Sequence, residues 1–344
     1  MEVQQDNTQD FALAVDIGGT KAAFALVDNC GRLLTPLEKH HVPFNAEGAA
    51  APDGLLSLME PYVEQARRLP GRFHGIGLSL CGNIDLETGL AVLVPNLHWR
   101  YLPFGAMVHK AFSTPVFAAT DVRMALLAEV LWGVARGVKH TAWATVGTGY
   151  GGYLYLDGKL YGGSHGYAGN FGHTTWDEVH GELCGCGKRG CFETFVAGPA
   201  IAARGQKAAD SGESPLLRRL ADGRRVTTAD VFSADAQGDP AAQAIIADIV
   251  RLISINLGGV VNTLDLRMIV MGGGVVHASP TFIQRINTRI RDFLMTEEAK
   301  RDLQVVKESF ENSALLGAAA AVFLRSGALP QDIAARISIE REDT

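Results

Sequence analysis

The chain has 344 residues, long for one compact core and comfortable for two domains. Hydrophobic residues make up 47% and charged residues 20%, and the net charge of −6 leaves no electrostatic footprint for nucleic acid or an anionic membrane surface. No uninterrupted apolar run approaches the roughly 20 residues that span a bilayer. Met1 to Asp10 is polar and acidic where a secretory signal carries a basic stretch and an apolar core, so the expected location is the cytoplasm.

Phe11 to Val15 is a short apolar run leading into Asp16, Ile17, Gly18, Gly19, Thr20 and Lys21, and a second apolar run covers Ala22 to Val27. This spacing predicts a β-hairpin with a glycine-rich connection. Gly54 to Leu69 has helical spacing and is closed by Pro70-Gly71. His74 to Ser79 reads as a buried strand entering a Cys81-Gly82 loop. Val116 to Ala119 reads as a strand running into Thr120-Asp121, with a helix over Val122 to Leu131.

The plan then restarts. Ala142 to Val146 is a strand, Gly147-Thr148-Gly149 a turn, and Tyr153 to Leu156 the returning strand. A cysteine-rich loop follows, then the polar stretch Arg204 to Val226, which reads as a surface excursion. A long helix over Ala241 to Asn262 precedes a strand, Met268 to Met271, that ends in Gly272-Gly273-Gly274. Ser313 to Leu324 is an alanine-rich helix. The repeated order of strand, glycine turn and strand predicts two α/β domains flanking a cleft. The expected division is a smaller N-terminal domain, 1–120, and a larger one, 121–312, with a hinge near 115–125. The last helix, about 313–325, is placed to pack back on the first domain.

Two glycines after Asp16 suit a turn that needs positive φ or close backbone approach, and such turns can expose consecutive N–H groups to phosphate oxygens. Asp16 at a strand end suits Mg²⁺, which prefers carboxylate oxygens and keeps much of its water. A plain hairpin turn explains the same letters. Gly147-Thr148-Gly149 in an equivalent setting tips the balance toward two turns that grip a polyphosphate, and Gly272 to Gly274 suits a flat purine. No GxxxxGK[ST] loop is present, and the GxGxxG spacings at Gly147 to Gly152 and Gly185 to Gly190 fall between two strands and in the cysteine-rich loop, not at the strand-to-helix turn that a dinucleotide site needs.

Five cysteines is an odd number, and three of them cluster. His173 with Cys184, Cys186 and Cys191 makes a complete tetrahedral set for a structural Zn²⁺, with no position left for substrate. Cys30 and Cys81 read as small apolar fillers.

The ordered motifs resemble the ROK family of bacterial sugar kinases and repressors, within the actin/Hsp70/hexokinase superfamily. They are Asp16 to Lys21, Gly75 to Asp85, Pro95 to Trp99, Thr120 to Glu129, Gly147 to Gly152, Gly162 to His173, Cys184 to Thr194 and Val270 to Val276. The resemblance covers nearly the whole chain. It implies two actin-like (ribonuclease H-like) α/β domains, ATP with Mg²⁺, structural Zn²⁺, a small sugar-like substrate, no nucleic acid partner and a homodimer. It also implies Asp121 as the base that accepts the proton of the attacking hydroxyl, although a helix N-cap at this strand-to-helix junction is a real rival. By motif, sugar contacts fall on Gly82, Asn96, Thr120, Asp121, Asn170, His173 and Glu193. ATP contacts fall on Asp16, Gly18, Gly19, Thr20, Lys21, Gly147, Thr148, Gly149, Gly272, Gly273 and Gly274.

Three positions depart from the family pattern. Thr120 stands where an Asn is usual, Arg123 follows where a second Asn is usual, and Asn170 replaces a Glu. An amide in place of a carboxylate removes a charge and adds a donor. The expected substrate is therefore a hexose or sugar mimic other than plain glucose: an amino or N-acyl sugar, a ketose or a carbocyclic analogue. The alternative is an inactive sugar-sensing protein. Only fifteen residues precede Asp16 and no basic patch is present, so DNA binding by this chain is not expected.

Overall fold

The computed structural model describes residues 9–335 and residue 337. Residues 1–8, on which the reading of the N-terminus mainly rests, lie outside the described residues. Two compact units emerge. One runs to Gly137 and takes in Gly158–Tyr167 and the chain from Ser309 onward; the other comprises Val138–Asp157 and Ala168–Glu308.

In the first unit the strands are β1 (Asp10–Ile17), β2 (Lys21–Asp28), β3 (Glu38–His41), β4 (Arg72–Leu80), β5 (Asn83–Ile84), β6 (Ala91–Val94), β7 (Trp99–Leu102) and β8 (Val116–Thr120). The main sheet has the order β3-β2-β1-β4-β8, and β5-β6-β7 form a small antiparallel sheet beside it. The expected hairpin is β1–β2, with Asp16 opposite Ala23. Alternation sorts the two faces. Phe11, Leu13, Val15, Ile17, Phe24 and Leu26 enter one apolar core with Leu55, Met59 and Phe104. The other face carries small residues. A Cβ at Gly77 would lie 1.9 Å from the carbonyl of Ala318, so the helix Ser313–Ser326 sits directly on the β4 backbone.

That helix also decides where the unit ends. The helix Asp121–Leu131 buries every residue from Met124 onward, and a Cβ at Gly317 would lie 1.7 Å from the carbonyl of Met124. Glu129, fully buried, accepts the backbone N–H of Ser309 at 2.7 Å and its hydroxyl at 2.8 Å. Packing and a satisfied buried carboxylate therefore keep residues 121–137 with the first unit, rather than dividing the chain at 120/121. By the same contacts the chain from Ser309, not from 313, belongs to it.

The second unit holds β9 (Thr141–Val146) and β10 (Tyr150–Leu156), which are antiparallel. After β11 (Lys159–Tyr161), which falls in the 158–167 segment of the first unit, come β12 (Met268–Gly272) and β13 (Gln304–Lys307). Strand β12 runs parallel to both β9 and β13. The helix Pro240–Leu264 starts at Asp239, whose carboxylate accepts the Ala242 N–H at 2.9 Å. Ile246, Ile249, Ile253, Leu257 and Val261 point from it into the core. It is long and apolar enough to cross a membrane, but most of its apolar stretch is buried inside the unit. The stretch 204–226 is not a surface excursion. Helices Gly198–Ser211 and Pro215–Ala221 bury Gly205, Ala208, Ala209 and Leu217, an amphipathic pattern hidden by the charged residues between them.

Candidate active site

Three parallel strands bring the first cluster together. Strands β1, β4 and β8 end side by side, with Asp16 opposite Ser79 and Leu80 opposite Thr120. Their carboxyl ends thus deliver Asp16, Ser79, Cys81, Thr120 and Asp121 to one end of the sheet, where ligands of α/β proteins commonly bind. The Ser79 hydroxyl donates to Asp16 Oδ1 at 2.6 Å. Burial raises the Asp16 pKa, opposed by that hydrogen bond and by the positive charge of Lys39. Burial, and then the charge of Asp16, push Asp121 up to about 7. Cys81 is pushed up to about 11 by burial and by Asp121. A buried carboxyl raised further by the charge of a neighbouring one favours a shared proton or a nearby cation, so the pair fits a site for hydrated Mg²⁺.

The rival role for Asp121 belongs to its neighbour. Thr120 is the N-cap, its hydroxyl accepting the Arg123 N–H at 3.3 Å, and Asp121 is the first helical residue. One Asp121 oxygen accepts the Val122 N–H at 2.9 Å.

The turn after β1 is closed by the Gly18 N–H donating to the Lys21 carbonyl at 3.0 Å. Neither glycine adopts positive φ. The need at Gly19 is close approach: a Cβ there would lie 2.9 Å from Asn96 Cβ. Gly82 is constrained likewise, its Cβ position lying 2.4 Å from the Leu93 carbonyl. Asn96 stands in a single turn, Pro95–Leu97, and its amide donates to Cys81 Sγ at 3.9 Å. Gly82, Asn96, Thr120 and Asp121 therefore gather with Asp16 and Gly19, while Thr20 and Lys21 are exposed. Sequence reasoning missed Ser79 and Lys39. Lys39 lies opposite Ala23, which lies opposite Asp16, so the three share one face.

The second cluster lies wholly within the other unit. Strands β9 and β12 end together, with Thr145 opposite Gly272. The Gly147 N–H donates to the Gly149 carbonyl at 2.9 Å, and the Gly147 carbonyl accepts the Gly198 N–H at 2.8 Å. Thr148 is exposed at the tip. Gly273 has φ 96°, and a Cβ there would lie 2.6 Å from the Val146 carbonyl, so only glycine fits. A Cβ at Gly147 would lie 3.9 Å from the Gly274 nitrogen, which makes the two glycine segments neighbours.

Beside them is the expected metal set. The ligand atoms of His173, Cys184, Cys186 and Cys191 all lie within 4.8 Å of one another. Cys184 Sγ is 3.6 Å from His173 Nδ1, and Cys186 Sγ is 3.6 Å from Cys191 Sγ. Zn–S bonds of about 2.3 Å in a tetrahedron separate sulfurs by close to these distances, so the set can hold Zn²⁺. The Lys188 ammonium donates to the His173 carbonyl at 2.7 Å, tying the loop back on itself. The His173 N–H donates to the Asn170 carbonyl at 3.0 Å. Glu193 accepts the Tyr150 N–H at 2.9 Å and lies 3.5 Å from Cys184 Sγ. Asn170, His173 and Glu193 thus belong to this second cluster.

Mixed sheets with glycine turns at their strand ends, the first also carrying Asp16 and Asp121 there, fit an actin-like α/β fold. Residues 12–325 match the ROK family, and the chain belongs to it. It is 29% identical over 290 residues to a glucokinase of Halalkalibacterium halodurans, covering 83% of this chain and 87% of that one. It is 30% identical to an N-acetylmannosamine kinase of Salmonella paratyphi A, covering 89% and 96%. Among solved structures, the ROK glucokinase of Streptomyces griseus in complex with glucose and AMPPNP superposes with a TM-score of 0.77, at 28% identity over 90% of this chain and 98% of that one. A ROK transcriptional regulator homologous to the MLC protein of E. coli superposes with a TM-score of 0.80, at 27% identity over 91% and 77%.

Proposed function

We infer that this chain, a sugar kinase of the ROK family, transfers the γ-phosphoryl group of ATP to a primary hydroxyl of a hexose or close sugar analogue, with Asp121 as the base. The observation that carries this reading is the shared register of β1, β4 and β8, which brings Asp121 and Asp16 to one end of the sheet, where burial and the Asp16 charge push the Asp121 carboxyl up to about 7. A base poised there is half-ionised at neutrality and can take up a proton as a hydroxyl attacks.

The hydroxyl proton passes to Asp121, the sugar oxygen forms its bond to the γ-phosphorus, and the bond to the β–γ bridging oxygen breaks to release ADP. In this reading the backbone N–H groups of Gly19 and Thr20, with the Lys21 ammonium, bind phosphate oxygens in one unit, in a turn that the Gly18 N–H closes. Those of Thr148 and Gly149 do so in the other, in a turn that the Gly147 N–H closes, and Gly272 to Gly274 take the purine. Asp16 would hold Mg²⁺, which would neutralise phosphate charge. Gly82, Asn96, Thr120, Asn170, His173 and Glu193 would contact the sugar.

Thr120 and Asn170 support a substrate other than plain glucose, such as an amino or N-acyl hexose, a ketose or a carbocyclic analogue. The N-acetylmannosamine kinase relative points the same way. The presence of Asp16, both glycine turns and Asp121 favours turnover over mere sugar sensing. Soluble residence in the cytoplasm and a homodimer complete the proposal. The test is ADP release against a panel of hexoses, N-acyl hexosamines, ketoses and cyclitols. Stimulation by at least one of them, abolished in Asp121→Asn with sugar binding retained, is expected; stimulation by none would overturn the reading.

A further inference from the structure

We propose that Glu193 is a strut joining the metal loop to the Gly147–Gly149 turn, so that occupancy of the metal site sets the shape of that turn. One side chain touches both. Its Oε2 accepts the N–H of Tyr150, the residue that follows the turn, at 2.9 Å. The same oxygen would lie 2.5 Å from a Cβ at Gly149, so the turn is built around this carboxylate. Its Oε1 lies 3.5 Å from Cys184 Sγ.

Glu193 also opens a helix, Glu193–Val196, two residues after Cys191. Two of the four metal ligands therefore bracket the carboxylate, Cys184 through space and Cys191 through the chain. Filling the site fixes both. Emptying it releases a loop with little apolar content to order it, and the carboxylate moves with its neighbours. A carboxylate-to-amide bond is among the stronger hydrogen bonds, which gives the strut purchase on Tyr150. Gly149 is then glycine for a stated reason: any side chain there would displace the strut.

A sugar contact alone would make Glu193 matter only when sugar is present. A strut acts on the free protein. What the turn binds rests on the proposed kinase reading, whereas exchange of the Tyr150 amide does not depend on it.

The test is hydrogen exchange at the Tyr150 amide in the full-length, zinc-loaded chain without sugar or nucleotide. Glu193→Ala should speed exchange about tenfold or more at unchanged zinc content, and Glu193→Gln, which keeps an acceptor, should stay within about threefold of wild type. Should the alanine variant fail to fold, Glu193→Asp, which keeps the charge but shortens the reach, should show the faster exchange. Removing zinc with a chelator should speed the wild type by a similar factor and add nothing to Glu193→Ala. Wild-type exchange in both Glu193→Ala and Glu193→Asp, or equal acceleration by the chelator with and without Glu193, would overturn the proposal. In parallel, a fluorescent ADP analogue should bind more weakly to Glu193→Ala than to wild type in the absence of sugar; unchanged affinity would confine Glu193 to sugar contact. If the wild type binds no ADP analogue, the kinase reading fails while the exchange measurements still decide the strut.

Discussion

Asp121→Asn removes a charge at constant shape, and its effect on stability is fixed by the environment of the carboxyl. Burial and Asp16 hold the group near pH 7 instead of its ordinary 3.8. At ~1.4 kcal/mol for each pH unit between those values, the ionised form costs the fold up to ~4 kcal/mol. Below about pH 4 the group is protonated in both folded and unfolded chains, and no cost arises. As pH rises from there to 7, the unfolded chain ionises while the fold holds its proton, so stability falls; above 7 the cost is constant. The asparagine variant never pays this cost. Partial access to water and sharing of the charge with Asp16 reduce the ceiling, so the stability gap between variant and wild type should widen by ~1–2 kcal/mol between pH 5 and pH 8. Urea denaturation across that range measures it. The same group should govern rate: wild-type kcat/KM should climb with pH and level off above 7, and the variant should lose roughly 10²- to 10⁴-fold. A stability gap independent of pH, or a flat rate profile in the wild type, would refute the assignment of a near-neutral carboxyl at this position.

Three further perturbations follow from close contacts and the metal set. Gly19→Ala puts a methyl 2.9 Å from Asn96 Cβ, and the turn must yield; nucleotide affinity, read by titration calorimetry, should fall roughly tenfold while the melting temperature barely moves. Gly317→Ala drives a methyl into the Met124 carbonyl at 1.7 Å, where two helix backbones touch and neither can retreat. A loss of ~3 kcal/mol or more in denaturant titration is expected. Elemental analysis should find about one zinc per chain, and chelation or Cys191→Ser should expose the loop around residues 181–190 to protease without unfolding the first unit.

What could be read from the letters was whatever local spacing encodes. The β1–β2 hairpin follows from two apolar runs around Gly18-Gly19, and three of the four metal ligands fall within one short loop. Strand β3 could not be read that way: Glu38-Lys39-His40-His41 has no apolar alternation, because an edge strand needs only backbone pairing on one side. The state of Asp121 was hidden for a different reason. Its carboxyl is raised by burial and then by Asp16, a residue far away in sequence, and only the shared register of β1, β4 and β8 makes them neighbours. The contact between Glu193 and Tyr150 is of the same kind.

A partial signal for such juxtapositions nonetheless exists. Ser79 is the one side chain in Ile76-Gly77-Leu78-Ser79-Leu80 able to hydrogen-bond, and it is fully buried. A buried hydroxyl needs a partner, and in a parallel sheet the nearest candidates stand at the same level of the adjoining strand. That level of β1 holds Asp16, which receives the hydrogen bond. A lone polar residue in an apolar strand therefore marks where a neighbouring strand brings a polar group. By that logic Ser79→Ala should raise the Asp16 pKa further, since it removes a hydrogen bond to the charged form while leaving the burial untouched.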